Sequence, residues 1–236
     1  GGIDLGADPP PDGTYSVVAI AQDAEGQRLR REGQLTIAVG GKPRAEISSQ
    51  PVGADVIFTT QAFDSLSAGA LVEYPDDPAL RAAAPITMQV GDYLIFGLTV
   101  ENYGPVPIRT TYPPPGTVYE QNQTPAALGP QAFEAAGVWR VGLQCDTSTT
   151  SFPYRWALGS PETLEAIEHP RTGEIFYYLP AGERALVWGA VRLTRLEPRN
   201  NPQVCWAGLI HEGVEVSLQN SRVGPREVEL VDPNAS

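Results

Sequence analysis

"VGDYLIFGLTVENYG", residues 90–104, decides the fold class. Leu94, Phe96, Leu98 and Val100 recur at every second position, the period at which side chains on a strand share one face. The stretch therefore reads as a strand of about eight residues with one buried face. Other stretches read the same way. "GVWRVGLQC" (137–145) alternates. "YYLPAGERALVWGAVRLTRL" (177–196) holds a turn at Pro180–Gly182 and then a long strand. "VCWAGLIHEGVEVSL" (204–218) and "REVELV" (226–231) complete the set. Between the first two lies "PVPIRTTYPPPGTVYEQNQTP" (105–125). Proline has no N–H to give to a central ladder, so this piece is expected to be an edge strand with an extended loop. Many short strands separated by Gly- and Pro-rich turns point to an all-β sandwich.

The chain begins with a different unit. "TYSVVAI" (14–20) and "QLTIAV" (34–39) flank "QDAEGQ", where Gly26 supplies the turn. Arg28, Arg30 and Arg31 stand against Glu25 and Glu32 as a solvated rim. A lone hairpin is marginal in water, so partner strands are expected from somewhere. Residues 1–43 are read as a partial β region open to completion by another chain. Ile3 and Leu5 alternate ahead of Pro9, Pro10 and Pro11, which makes residues 1–8 a candidate donor strand. Residues 44–68, with one short apolar run at 56–58, are read as a linker or connecting strand. Residues 69–236 form the large sandwich, with an insert near 146–176. Within the insert, "SPETLEAIEH" (160–169) is the one helix-like piece: Ser160 suits an N-cap and Pro161 the first helical position.

Charge narrows the partners. The 236 residues carry 28 acidic and 16 basic side chains, a net charge of −12. Phosphate recognition needs a basic stripe, so nucleic acid is not expected, nor is an anionic membrane surface. An apolar content of 42% is enough for a packed core. No run of about 18 apolar residues is present, so no membrane insertion by a helix is expected. The opening Gly1-Gly2-Ile3-Asp4 lacks Met and reads as a processed or trimmed product. The two cysteines, Cys145 and Cys205, each lie in a strand-like run. They suit one cross-strand or cross-sheet disulfide in an exported protein; two buried thiols are the alternative.

Two stretches carry resemblances. Asp12, Gly13, Tyr15, Asp23 and Gly26 give a stretch that resembles the last two strands of the Ig-like domain of flagellar hook-capping proteins and other secreted bacterial proteins. Gly91, Asp92, Asn102, Gly104, Pro105 and Gly116, with "LPAGERALVWGAVRL", give a region similar to the Ig-like repeats of bacterial surface proteins of the DUF11 or CARDB kind. Together these imply an Ig-like β-sandwich preceded by a partial Ig-like β region. They imply scaffold, stalk and adhesion roles at the cell surface and no enzyme.

Signals for chemistry are sparse. The two histidines are His169 and His211, and no Gly-x-Ser-x-Gly elbow occurs. His211 precedes Glu212, without a second histidine or cysteine at ligand spacing. Asp76-Asp77 and Asp4, Asp8 and Asp12 lack a calcium-loop pattern and read as turn formers. Catalysis, cofactors and metals are therefore not expected. Trp139, Trp188 and Trp206 lie in strand-like runs and read as core. Tyr154, Arg155 and Trp156 lie in the insert beside prolines and read as candidate interface residues, the residue types that dominate binding hot spots. Asn122-Gln123-Thr124 and Asn234-Ala235-Ser236 fit the glycosylation pattern. The expected function is a structural subunit of an extracellular filament, sheath or surface layer that self-associates into a homopolymer. The alternative is a carbohydrate- or protein-binding adhesion module that meets a glycan or surface protein.

Overall fold

A computed structural model of the chain describes residues 13–37, 44–48, 56–67, 69–81, 84–123, 128, 137–169 and 172–232. The strands in chain order are β1 (Gly13–Gln22), β2 (Arg28–Ile37), β3 (Glu46–Ile47), β4 (Ile57–Gln61), β5 (Ile86–Gln89), β6 (Tyr93–Glu101), β7 (Ile108–Thr110) and β8 (Val118–Glu120). They continue as β9 (Trp139–Cys145), β10 (Tyr154–Ala157), β11 (Glu165–Glu168), β12 (Ile175–Leu179), β13 (Arg184–Arg192), β14 (Gln203–His211), β15 (Glu215–Val216) and β16 (Val223–Val231). Helical pieces are short 3-10 turns, such as 63–65 and 198–200. The fold is all-β and of the sandwich type.

One main sheet runs β3–β6–β13–β8, with β4 sharing the β3 side of β6. The other runs β10–β9–β14–β16–β5, with β15 on β14. Most neighbours are antiparallel; β8 on β13 and β5 on β16 are parallel. Residues 46–47 and 57–61, inside the stretch read as a linker or connecting strand, pair with β6. A small sheet, β11–β12–β7, and the separate β1–β2 hairpin complete the architecture.

The core lies between the main sheets. Leu94, Phe96, Leu98 and Val100 of β6 all face it, as the alternation requires, and meet Val187 and Val191 of β13 on their own sheet. Val141, Leu143, Ala207, Leu209, Val228 and Leu230 close it from the other sheet. Trp156 crosses this core and fits over Gly189, where a side-chain Cβ would come within 2.2 Å of the indole. Its ring meets Phe96 and Tyr119 edge-on, at 4.7 and 5.0 Å between centroids. The opposite face of β6 is covered as well. Val72 packs against Tyr93, Ile95 and Ala190, and Trp188 Nε1 donates to the Val72 carbonyl at 2.8 Å. Gly116 lets the chain turn beneath this strap: its φ is +86°, and a Cβ there would sit 2.9 Å from the Val72 oxygen.

Cys145 and Cys205 form a disulfide. They are direct register partners on β9 and β14, so the bond is cross-strand within one sheet and not between sheets. A disulfide argues for an oxidising, non-cytoplasmic setting. Among the described residues no helix is long and apolar enough to cross a membrane.

The expected helix at 160–169 is corrected. Thr163 and Leu164 N–H groups both donate to the Ser160 carbonyl, which closes a single turn. The chain then enters β11, where Ile167 pairs with Phe176 of β12. A helix of one or two turns is marginal alone. Here β12 offers the same backbone a ladder that is itself anchored on β7.

Candidate functional site

Tyr154, Arg155 and Trp156 are not a surface patch, which corrects that expectation. They form β10, paired with β9. Tyr154 is 4% exposed and Trp156 0%. Trp156 Nε1 donates to the Thr117 carbonyl at 2.9 Å, and the Tyr154 hydroxyl donates to the Gln121 carbonyl. Burial pushes the Tyr154 hydroxyl up to about 12, and the Tyr119 hydroxyl also rises above its ordinary value.

Arg155 points the other way and joins a charge cluster. Its guanidinium donates to Glu212 Oε2 at 2.5 Å, while Arg140 donates to Glu212 Oε1 at 3.2 Å and to the Tyr112 carbonyl at 2.9 Å. Arg140 and Glu212 are buried. Burial pulls the Arg140 guanidinium below its ordinary range, and the Glu212 charge opposes that shift. Next to this cluster, His211 stacks on its register partner Trp139, with centroids 4.4 Å apart and planes within 11°. The His211-Glu212 dipeptide is thus divided between an aromatic stack and an ion cluster. Among the described residues, no group of three His, Cys, Asp or Glu is arranged to hold a metal ion. His169 lies in the β11–β12 turn, where its Nδ1 accepts from the Thr172 N–H at 3.2 Å. Asp77 accepts from the Ala79 N–H at 2.9 Å, a turn-forming contact. Trp139 and Trp206 are buried core residues; Trp188 is half-buried beneath the strap.

The hairpin carries the clearest surface feature. Its register runs from Gly13 opposite Ile37 to Gln22 opposite Arg28. Asp23 Oδ1 accepts from the Glu25 and Gln27 N–H groups at 3.1 and 2.7 Å, which shapes the turn before Gly26. Residues directly opposite share a face. Tyr15, Val17, Ala19 and Ala21 therefore lie beside Leu35, Gly33, Arg31 and Leu29. This face is apolar but for Arg31. The other bears Arg28, Arg30 and Glu32, with an exposed Arg30–Glu32 ion pair at 2.6 Å, and also carries exposed Val18 and Ile20 among these charges. Leu29 on the apolar face is 53% exposed, and Ala19 and Ala21 are exposed too. The candidate donor residues Ile3 and Leu5 lie outside the described residues, as does Asn234; Asn122 is exposed in the turn after β8.

Hollows open elsewhere among the described residues. One, of about 430 Å³, is walled by Tyr112, Pro114, Leu164 and Tyr177. Another, of about 310 Å³, lies where Trp139 and His211 meet Arg44 and Tyr103. The charge cluster and the stacked rings escape a sequence reading because 140, 155 and 212 are distant in the chain. Tyr154 and Trp156 do carry a signal: two aromatics flanking an arginine at strand period. Comparison with known proteins finds no matching family model, no matching curated protein and no matching solved structure.

Proposed function

We propose that the chain is a non-enzymatic structural subunit of an extracellular cell-surface assembly, a filament, sheath or surface layer, in which copies join through the β1–β2 hairpin. The observation that carries this reading is the hairpin's apolar face. Among the described residues, the two ten-residue strands pair with each other and with no third strand, and they present Tyr15, Val17, Leu29 and Leu35 on one side. A two-stranded sheet needs a packed face to be stable, and strands of another copy supply one. Contact between different surfaces of identical copies generates open polymers when the rotation does not close. The disulfide-linked sandwich gives such a subunit a rigid body, and the resemblance to surface-protein Ig-like repeats supports the location.

Light scattering across a concentration series, with electron microscopy of the same samples, tests this. Concentration-dependent growth beyond a dimer, with regular particles or filaments, is expected. A monomer that persists to millimolar concentration would overturn the reading.

A further inference from the structure

We infer that the hollow at one end of the sandwich, walled by Trp139 and His211, is a binding site for a neutral saccharide. The site stands apart from the hairpin and does not depend on self-association.

Its position comes from the topology. Trp139 begins β9 and His211 ends β14, and the two are register partners. Tyr103 lies just after β6, Arg44 just before β3, and Gln219 shortly after β15. Ends of both main sheets thus meet around one cavity of about 310 Å³. That is the low end of the size range for small-molecule sites. Sandwich ends are where such folds gather adaptable loops over a rigid frame.

The lining has the chemistry of a sugar site. Its base is the stacked pair, with the Trp139 and His211 rings almost fully buried. Tyr103 stands at the rim with 48% of its surface exposed, an aromatic ring held open to solvent. A pyranose has an apolar C–H face for such a ring and a belt of hydroxyls that both donate and accept. Arg44 supplies donors, Glu215 acceptors, and Gln219 both; all three are exposed on the lining. The Arg44 and Glu215 charges offset each other, so the rim has no net preference for an ion. The chain's net charge of −12 disfavours an anionic ligand further.

The test is a glycan array carrying neutral and sialylated or sulfated glycans, then calorimetric titration of the intact protein with the best neutral hit. Binding to neutral glycans is expected, weakened about tenfold or more by Tyr103→Ala and by Gln219→Ala. Both positions are exposed, so thermal unfolding of the variants should match the parent. Absence of neutral-glycan binding at millimolar sugar would overturn the inference. So would binding confined to acidic glycans, or neutral binding that survives both Tyr103→Ala and Gln219→Ala.

Discussion

Arg140 and Glu212 form an ion pair inside the sandwich, with 1% and 3% of their side chains exposed and 3.2 Å between Nη1 and Oε1. Two charges so placed have surrendered their water, and their mutual contact compensates together with the Tyr112 carbonyl that accepts from Arg140. Glu212 also receives Arg155, whose side chain is 21% exposed. Removal of the carboxylate leaves a guanidinium buried with no counter-charge. Glu212→Ala is therefore expected to cost about 3–5 kcal/mol in denaturant unfolding. Arg155→Ala is expected to cost less, about 1–2 kcal/mol, because water reaches that group and Arg140 still satisfies the carboxylate. Equal costs for the two variants would show that the pair is not the centre of the cluster.

The Cys145–Cys205 bond closes a loop of sequence separation 60. In the chain-entropy description such a loop restrains the unfolded chain by about 4 kcal/mol. Reduction should lower the urea midpoint and steepen the slope, because the unfolded chain freed of the link exposes more surface, and a Cys145→Ser/Cys205→Ser double variant should behave like the reduced protein. Both sulfur-bearing residues are buried. Thiol release by a reductant, monitored with a thiol reagent, should thus be slow in native buffer and rise steeply in denaturant. Prompt release in native buffer would contradict a bond enclosed by the sheet.

How much of this is legible in the sequence depends on the distance over which each feature is written. Strands β6, β9, β13, β14 and β16 are legible because alternation is local: Leu94 to Val100 alone assign a buried face. Asn102 is legible as a motif position but not as a role. Its Nδ2 donates to the carbonyls of Val106, Leu179 and Pro180 at 2.9–3.0 Å, joining segments nearly eighty residues apart. Residues 160–169 suggest a helix because capping residues describe only the first turn. Beyond that turn the conformation of 165–168 is set by pairing with Ile175–Leu179, which no cap residue encodes. Tyr154 and Trp156 suggest a surface because neighbouring prolines resemble an exposed loop, while their burial depends on Thr117 and Gln121 from another part of the chain.

Gly189 is expected to be intolerant of any side chain. Its Cβ would fall 2.2 Å from Cε2 and Nε1 of Trp156, and that ring is held by Phe96, Tyr119 and the Thr117 carbonyl. Gly189→Ala should cost about 1–3 kcal/mol through overpacking. Trp156→Phe should be destabilising alone but should relieve part of the Gly189→Ala cost, because it frees the space in dispute. A double-mutant cycle by denaturant unfolding reads this coupling directly. Strict additivity would mean the ring simply moves aside.

The two faces of the hairpin should behave differently. Val17, opposite Gly33, lies on the apolar face, whereas Ile20, opposite Arg30, lies on the charged one. Val17→Glu should weaken growth in light scattering, since burying a carboxylate between copies costs desolvation that a single diagonal neighbour on this face, Arg31, offsets only in part. Ile20→Glu should leave growth intact, because the added carboxylate faces Arg30 and solvent. Unfolding of the sandwich should be unchanged in both. Equal loss of assembly from both variants would argue for disruption of the hairpin itself and against a one-sided interface.

Alkaline pH should weaken the core from within. Tyr154 ionises at about 12 in the folded chain against an ordinary 10, because its hydroxyl is taken out of water. Above pH 10 the unfolded chain releases this proton while the folded one retains it. The unfolded state then binds fewer protons, so stability falls as pH rises. The contribution is fully present below pH 10 and shrinks through the window from 10 to about 12, by on the order of 1.4 kcal/mol per pH unit. Buried Tyr119 shifts in the same direction, so the two losses accumulate. Tyr154→Phe removes one of them, and the decline with pH should then be shallower. Urea midpoints at about pH 9, 10 and 11, with phenolate absorbance recorded in parallel, check this: phenolate from these two tyrosines should appear with unfolding and not before it.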